Sequence, residues 1–243
     1  IVLYMLVGAM QLGIMYLLAF RAYLYLTVSE FLLFTVFTPL YITLIYDLLS
    51  GRKLRWGYLL SAALAVLGAA IIRYDKVSDH FWTGLLLVQL SNLCFAIGMV
   101  GYKRLMEVRP MPQHNAFAWF YVGAFIVAVA AWFMLGNAQK LPTTTLQWSV
   151  LVWLGVVASG LGYFMWNYGA TQVDAGTLGI MNNVHVPAGL LVNLAIWQEQ
   201  PHWPSFISGA LVILASLWVH RRWVAPHSGQ TADDRRRGSA QSE

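Results

Sequence analysis

Charged side chains are scarce. They make up 10% of the 243 residues, where a soluble domain carries about 25%. That shortage excludes a separate water-soluble domain large enough to hold an active site. Cysteine is all but missing: Cys94 stands alone inside an apolar run, which rules out an internal disulfide and any Cys–Cys zinc spacing. No two histidines lie four apart around a glutamate, so a helical zinc-hydrolase site is absent too. No Gly-rich loop ends in Lys-Ser or Lys-Thr, so the chain does not hydrolyse ATP itself. Nothing resembles an assembled nucleophile and base, and no catalytic residue, metal or cofactor is expected. The long apolar runs also lack the apolar–polar alternation of membrane-barrel strands.

What remains is apolar and aromatic. Hydrophobic residues make up 59% of the chain, with 11 Trp and 12 Tyr. The expected fold is an all-α polytopic membrane protein. Eight spans are expected at approximately 2–20, 28–49, 56–72, 81–101, 115–135, 146–167, 176–197 and 204–220, each close to the ~20 residues that cross a bilayer. Basic residues cluster on one side: Arg52, Lys53, Arg55, Lys103, Arg104, Arg109, Arg221, Arg222 and Arg235 to Arg237 are eleven of the fifteen. Arg21, Arg73, Lys76 and Lys140 fall on the other. The positive-inside rule makes the eleven-residue side cytoplasmic, together with both ends of the chain. The net charge of +5 is thus a matter of topology, and the lipid bilayer rather than nucleic acid is the expected partner. Residues 223–243 are polar and basic, and read as a disordered cytoplasmic tail. The chain opens at Ile1 without an initiator Met, and is expected to start part-way through a longer protein.

An internal repeat organises the rest. Pro39 and Pro187 lie 148 residues apart, and at that offset Ala22 matches Ala170, Ser29 matches Thr177 and Val36 matches Val184. At an offset of 147, Trp56-Gly-Tyr-Leu-Leu-Ser-Ala-Ala-Leu-Ala-Val-Leu67 aligns with Trp203-Pro-Ser-Phe-Ile-Ser-Gly-Ala-Leu-Val-Ile-Leu214. The copies begin five expected spans apart, an odd number, so they would cross the membrane in opposite directions. Inverted repeats with Gly/Pro-interrupted spans at matching positions point to a secondary transporter with its site at the repeat interface. The expected division is therefore 1–73, three helices left of a first five-helix repeat, and 80–222, a complete second one.

These features resemble the drug/metabolite transporter superfamily, in its EamA-type branch. The residues that carry the likeness are Thr38-Pro39, Arg55-Trp56 and Gly68, and again Val186-Pro187, His202-Trp203 and Gly209. Glu199 matches a loop glutamate frequent in that family; the first half has Gly51 there instead. The resemblance implies ten helices in two inverted halves of five, of which eight are seen here. Within the family, Phe20-Arg-Ala-Tyr-Leu-Tyr-Leu-Thr-Val-Ser-Glu30 and Tyr163-Phe-Met-Trp-Asn-Tyr-Gly-Ala-Thr-Gln-Val-Asp174 look most like enterobacterial carriers of biotin. That likeness implies inner-membrane uptake of biotin or a similar small carboxylate; composition and spacing do not show the substrate.

Candidate binding residues come from polar groups at membrane depth. The seventh span carries Asn182, Asn183, His185 and Asn193, and on one unbroken helix Asn182, Val186, Gly189 and Asn193 would share a face. In the second span Phe31, Thr35, Thr38, Ile42 and Tyr46 would share one, with Tyr41 at its edge. Gln89 and Asn92 form a third polar spot in the fourth span. Each has a structural alternative: the asparagines as interhelical hydrogen bonds of ~1 kcal/mol, the hydroxyls as partners for a carbonyl that a proline frees. Arg21 would pair with a carboxylate ligand or snorkel to the outer surface. Trp119 and Trp166, with Tyr121, Tyr163 and Tyr168, would wall a cavity or belong to the interfacial belt. Glu30 would carry a proton or close a capping box with Thr27, Asp174 would cap a helix, and Asp47 would meet water at a span end. The functional expectation is uptake of a small metabolite by alternating access. An exporter of amino acids on the same fold, and a structural or regulatory membrane protein without flux, are the alternatives; the sequence leaves the oligomeric state open.

Overall fold

A computed structural model describes residues 1–26, 28–51, 56–73, 81–197 and 203–224. Thr27, Arg52, Lys53, Arg55, Lys76, Glu199, His202 and the tail from 225 onward lie outside the described residues. Among the described residues the elements are all helical. They are α1 (Val2–Ala22), α2 (Val28–Thr35), α3 (Thr38–Leu49), α4 (Trp56–Arg73), α5 (Phe81–Val108), α6 (Gln113–Leu135), α7 (Thr145–Ala170), α8 (Ala175–Asn182), α9 (His185–Trp197) and α10 (Trp203–Val219). Four of these, in α1, α5, α6 and α7, are long and apolar enough to cross a membrane. Looser π-helical turns interrupt α1 at Ala9–Ile14 and α7 at Leu154–Gly162, and extend α10 through His220–Val224.

The expected second and seventh spans are each two short helices. A two-residue turn, Val36–Phe37, parts α2 from α3, and Asn183–Val184 parts α8 from α9. Proline explains both. It lacks a backbone hydrogen and its ring collides with the carbonyl four residues back, which is Thr35 for Pro39 and Asn183 for Pro187. The unbroken faces expected through Thr35–Thr38 and Asn182–Val186 are therefore not formed as such. Helix α5 also runs further than expected, to Val108, so Lys103 and Arg104 are helical rather than loop residues. Asp47 does not meet water: it is buried in α3.

The chain forms two compact units. Ile1–Arg21 and Leu90–Val173 make the first, which holds α1, most of α5, α6 and α7. Its core is aromatic: Tyr4, Tyr102, Phe117 and Phe120 are buried, and Tyr102 meets the other three edge-on. Small residues let α1 and α6 touch backbone to backbone. A Cβ on Gly8 would lie 1.8 Å from the Phe120 carbonyl oxygen, and one on Gly123 1.8 Å from that of Met5. Outward, α7 shows Leu151, Val152, Trp153 and Val156, a face suited to lipid.

Ala22–Gln89 and Asp174–Glu243 make the second unit. It holds the segments around Pro39 and Pro187 and the two similar stretches 56–67 and 203–214. The matched helices α4 and α10 lie along each other, and α8 packs on α3, where Gly179 faces Pro39. Val36, Ile180, Val186 and Ile213 form the buried core around the two breaks.

The α1–α6 approach gives a stability test. Gly123→Ala forces two backbones apart and is expected to lower stability by about 1–3 kcal/mol, the usual penalty of overpacking. Gly169→Ala, where a Cβ meets nothing within 4 Å, is expected to leave thermal unfolding in detergent unchanged or slightly raised.

Candidate functional site

The site is built on the two breaks of the second unit. Because Pro39 cannot bond the Thr35 carbonyl, the Thr38 hydroxyl donates to it instead, at 2.7 Å. Thr43 Oγ1 similarly donates to the carbonyls of Pro39, at 3.1 Å, and Leu40, at 3.0 Å. The Val36 carbonyl, at the first break, accepts from Asn183 Nδ2 of the second break at 3.0 Å. This bond joins positions 147 residues apart, one short of the 148 that separate Pro39 from Pro187, so the turns before the two prolines are tied together. His185 opens α9 with its ring exposed; Nδ1 contacts the Asn182 carbonyl oxygen and Nε2 lies 3.4 Å from Thr35 Oγ1. Beside them Tyr41 donates to Gln89 Oε1 at 2.9 Å, and Gln89 Nε2 donates to the Phe34 carbonyl at 3.0 Å.

The structure thus brings Thr35, Thr38, Tyr41, Gln89, Asn182, Asn183 and His185 into one unit around the breaks. Thr38 is held by backbone repair, and Asn183 by an interhelical bond. Arg21, Asn92, Trp119 and Trp166 belong to the first unit. Arg21 is exposed in the last turn of α1, Asn92 is buried in α5, and Trp119 packs on the aromatic core. Trp166 Nε1 lies 3.0 Å from Met99 Sδ. Asn193 lies in α9, with its side chain outside the described residues. The first unit has a cavity of about 520 Å³, lined by Tyr16, Phe20, Tyr121, Phe125, Trp132 and Ser159, almost all apolar. Of the expected wall residues only Tyr121 reaches it, donating to the Ser159 carbonyl.

Three groups were not foreseen. Gln11 is fully buried in α1, with neither amide atom bonded among the described residues. A lone glutamine in an apolar run was the available signal. Lys103 is buried, and its Nζ donates to the carbonyls of Ala170, at 3.2 Å, and Val173, at 2.6 Å, closing the end of α7. His220 is buried at the end of α10, edge-on to Tyr58, and its Nε2 lies 2.7 Å from Asp174 Oδ1.

Asp174 caps α8 as its position implied. Its Oδ1 accepts from the Gly176 N–H at 2.9 Å and the Thr177 N–H at 3.1 Å, and its Oδ2 from the Thr177 hydroxyl at 2.6 Å. Burial pushes the carboxyl's pKa upward, but hydrogen bonds from His220 and Thr177 and the charge of His220 outweigh it. The carboxyl is held well below the usual carboxylate range. The His220 ring sits on the chain at Gly176, where a Cβ would lie 2.0 Å from its Cε1.

Residues 82–221 match the EamA-like transporter family. The Biotin transporter of Escherichia coli is 83% identical over 241 residues, covering 99% of this chain and 81% of that one. This chain belongs to the EamA-like transporter family. A second relative, the Probable biotin transporter of Pseudomonas aeruginosa, is 53% identical over 219 residues, or 89% of this chain and 76% of that one. A solved crystal structure matches with a TM-score of 0.74 at 18% identity, over 91% of this chain and 76% of that one, which is a likeness of fold. As an EamA protein with several apolar helices, the chain is a multi-pass membrane transporter and not an enzyme.

The cap carries a pH prediction for this EamA chain. A carboxyl whose folded pKa is depressed contributes stability above its unfolded value, about 3.9, and loses it as pH falls through the folded value. Asp174→Asn is therefore expected to lower the thermal midpoint at neutral pH. The gap from the unaltered protein should hold down to about pH 4 and narrow below it.

Proposed function

We propose that this chain takes up biotin across the bacterial inner membrane by alternating access. The observation that carries the reading is the 83% identity to the Biotin transporter of Escherichia coli over nearly the whole of this chain. The broken helices α2/α3 and α8/α9 support the mechanism. Non-helical backbone at membrane depth is tolerated only inside protein or along a wet cavity, and in transporters such breaks sit at the substrate. The tie between the turns before the two prolines, Asn183 Nδ2 to the Val36 carbonyl, supports two inverted copies, and with them eight spans of a ten-helix, five-plus-five fold. The expected repeats at 1–73 and 80–222 follow that scheme, with both chain ends and the tail at 223–243 cytoplasmic by the distribution of basic residues.

Biotin pairs a planar urea with an apolar ring and a carboxylate tail. Tyr41, Gln89, Asn182 and Thr35 offer the hydroxyls and amides such a urea requires, and His185 a positive pole. Asn183 and Thr38 set the geometry of the breaks. Arg21, Asn92, Trp119, Trp166 and Asn193 are proposed on sequence grounds as further contacts. Labelled biotin is expected to enter proteoliposomes bearing the protein, with saturation and with competition by unlabelled biotin. Liposomes that accumulate no more label than protein-free ones would remove the reading. Uptake of Asn182→Ala and Gln89→Ala is expected to fall about five- to a hundredfold, since a lost hydrogen bond to bound substrate is worth about 1–3 kcal/mol.

A further inference from the structure

His185 faces two acceptors at once. Its Nδ1 lies against the Asn182 carbonyl oxygen, and a carbonyl only accepts, so Nδ1 carries a hydrogen. Its Nε2 lies 3.4 Å from Thr35 Oγ1. The Thr35 hydroxyl has one hydrogen, and that is directed to the Leu32 carbonyl at 2.8 Å, again a group that only accepts. Oγ1 therefore presents lone pairs to the imidazole, and the ring bonds Thr35 only with a hydrogen on Nε2. A neutral imidazole has one N–H; a ring that donates from both nitrogens is imidazolium. We propose that the break holds His185 for its protonated form, and that this imidazolium receives the carboxylate of the carried substrate, so that proton and carboxylate bind together.

The surroundings fit that role. The ring is exposed half-way along the expected seventh span, and an ionisable group at that depth looks into water or ligand rather than lipid. The contact to Thr35, 3.4 Å, is long beside the usual ~2.9 Å, so a carboxylate oxygen displaces it readily and gains a charge-assisted bond. The carbonyls ending α8 stabilise a cation there, and the start of α9 draws an anion to the same place. The ionisable groups on the elements packed around this break are Glu30 of α2, Tyr41, Tyr46 and Asp47 of α3, Tyr58 and Arg73 of α4, and Asp174, His220, Arg221 and Arg222 at the ends of α8 and α10. Titration of His185 discriminates against a carboxylate alone.

The inference rests on the biotin reading, and the test separates the two. Exchange of labelled biotin is measured in proteoliposomes at equal pH inside and out, beside biotin amide, which has no carboxylate. The apparent affinity for biotin is expected to fall about tenfold between about pH 6 and about pH 8, while that for the amide stays level. In His185→Gln, biotin exchange is expected to be weak at every pH, with amide exchange kept. Parallel profiles for biotin and amide in the unaltered protein overturn the proposal without recourse to any variant. So does a His185→Gln protein that keeps the biotin profile. Biotin exchange absent at every pH would instead sink the transport reading, and this inference with it.

Discussion

In hydrocarbon a backbone polar group has no water to turn to, and every part of the second unit answers to that constraint. Two prolines open two helices there, and each opening releases carbonyls that need a donor. Thr38 supplies one from its own chain, at the Thr35 carbonyl. Asn183 supplies another, reaching from the second break to the Val36 carbonyl of the first. That bond is local chemistry with a global effect: it fixes one break against the other, and so sets where Thr35 and His185 stand.

The rest of the unit holds this arrangement still. The paired helices α4 and α10 give it an apolar spine, and Gly179 lets α8 come close to Pro39. At one end the Asp174 cap and the His220 ring lock the start of α8 to the end of α10. The first unit uses other means. There Gly8 and Gly123 let α1 and α6 touch along their backbones, and the Lys103 ammonium closes the end of α7. A carrier that moves between two states needs parts that stay rigid while others shift, and short helices joined at breaks are natural places for the movement.

Much of the scaffold was legible without coordinates. The apolar runs marked the helices, and Asp174 before Ala-Gly-Thr announced its cap because capping is a matter of near neighbours. Pro39 and Pro187 marked the breaks, though the helical faces drawn through them assumed a continuity that proline forbids. Thr35, Thr38, Tyr41, Gln89, Asn182, Asn183 and His185 were recognisable as polar groups at membrane depth, and the fold does bring them to one unit. Arg21, Trp119 and Trp166 shared the same signal yet lie in the other unit, because residue type at a given depth says nothing of which bundle a helix joins; Asn92 falls there too, since α5 is divided between the units after Gln89.

The amino-acid order by itself determined the helices, the prolines that interrupt them and the cap at Asp174, since each follows from interactions within a few residues. Only the tertiary structure decided which groups meet: Asn183 with the Val36 carbonyl, Lys103 with the end of α7, His220 with Asp174, and Asp47 away from water. Those partners stand 147, 70 and 46 residues apart. The reason is physical. Burial and long-range hydrogen bonding depend on what packs beside a residue, and packing is a property of the folded bundle rather than of any one stretch.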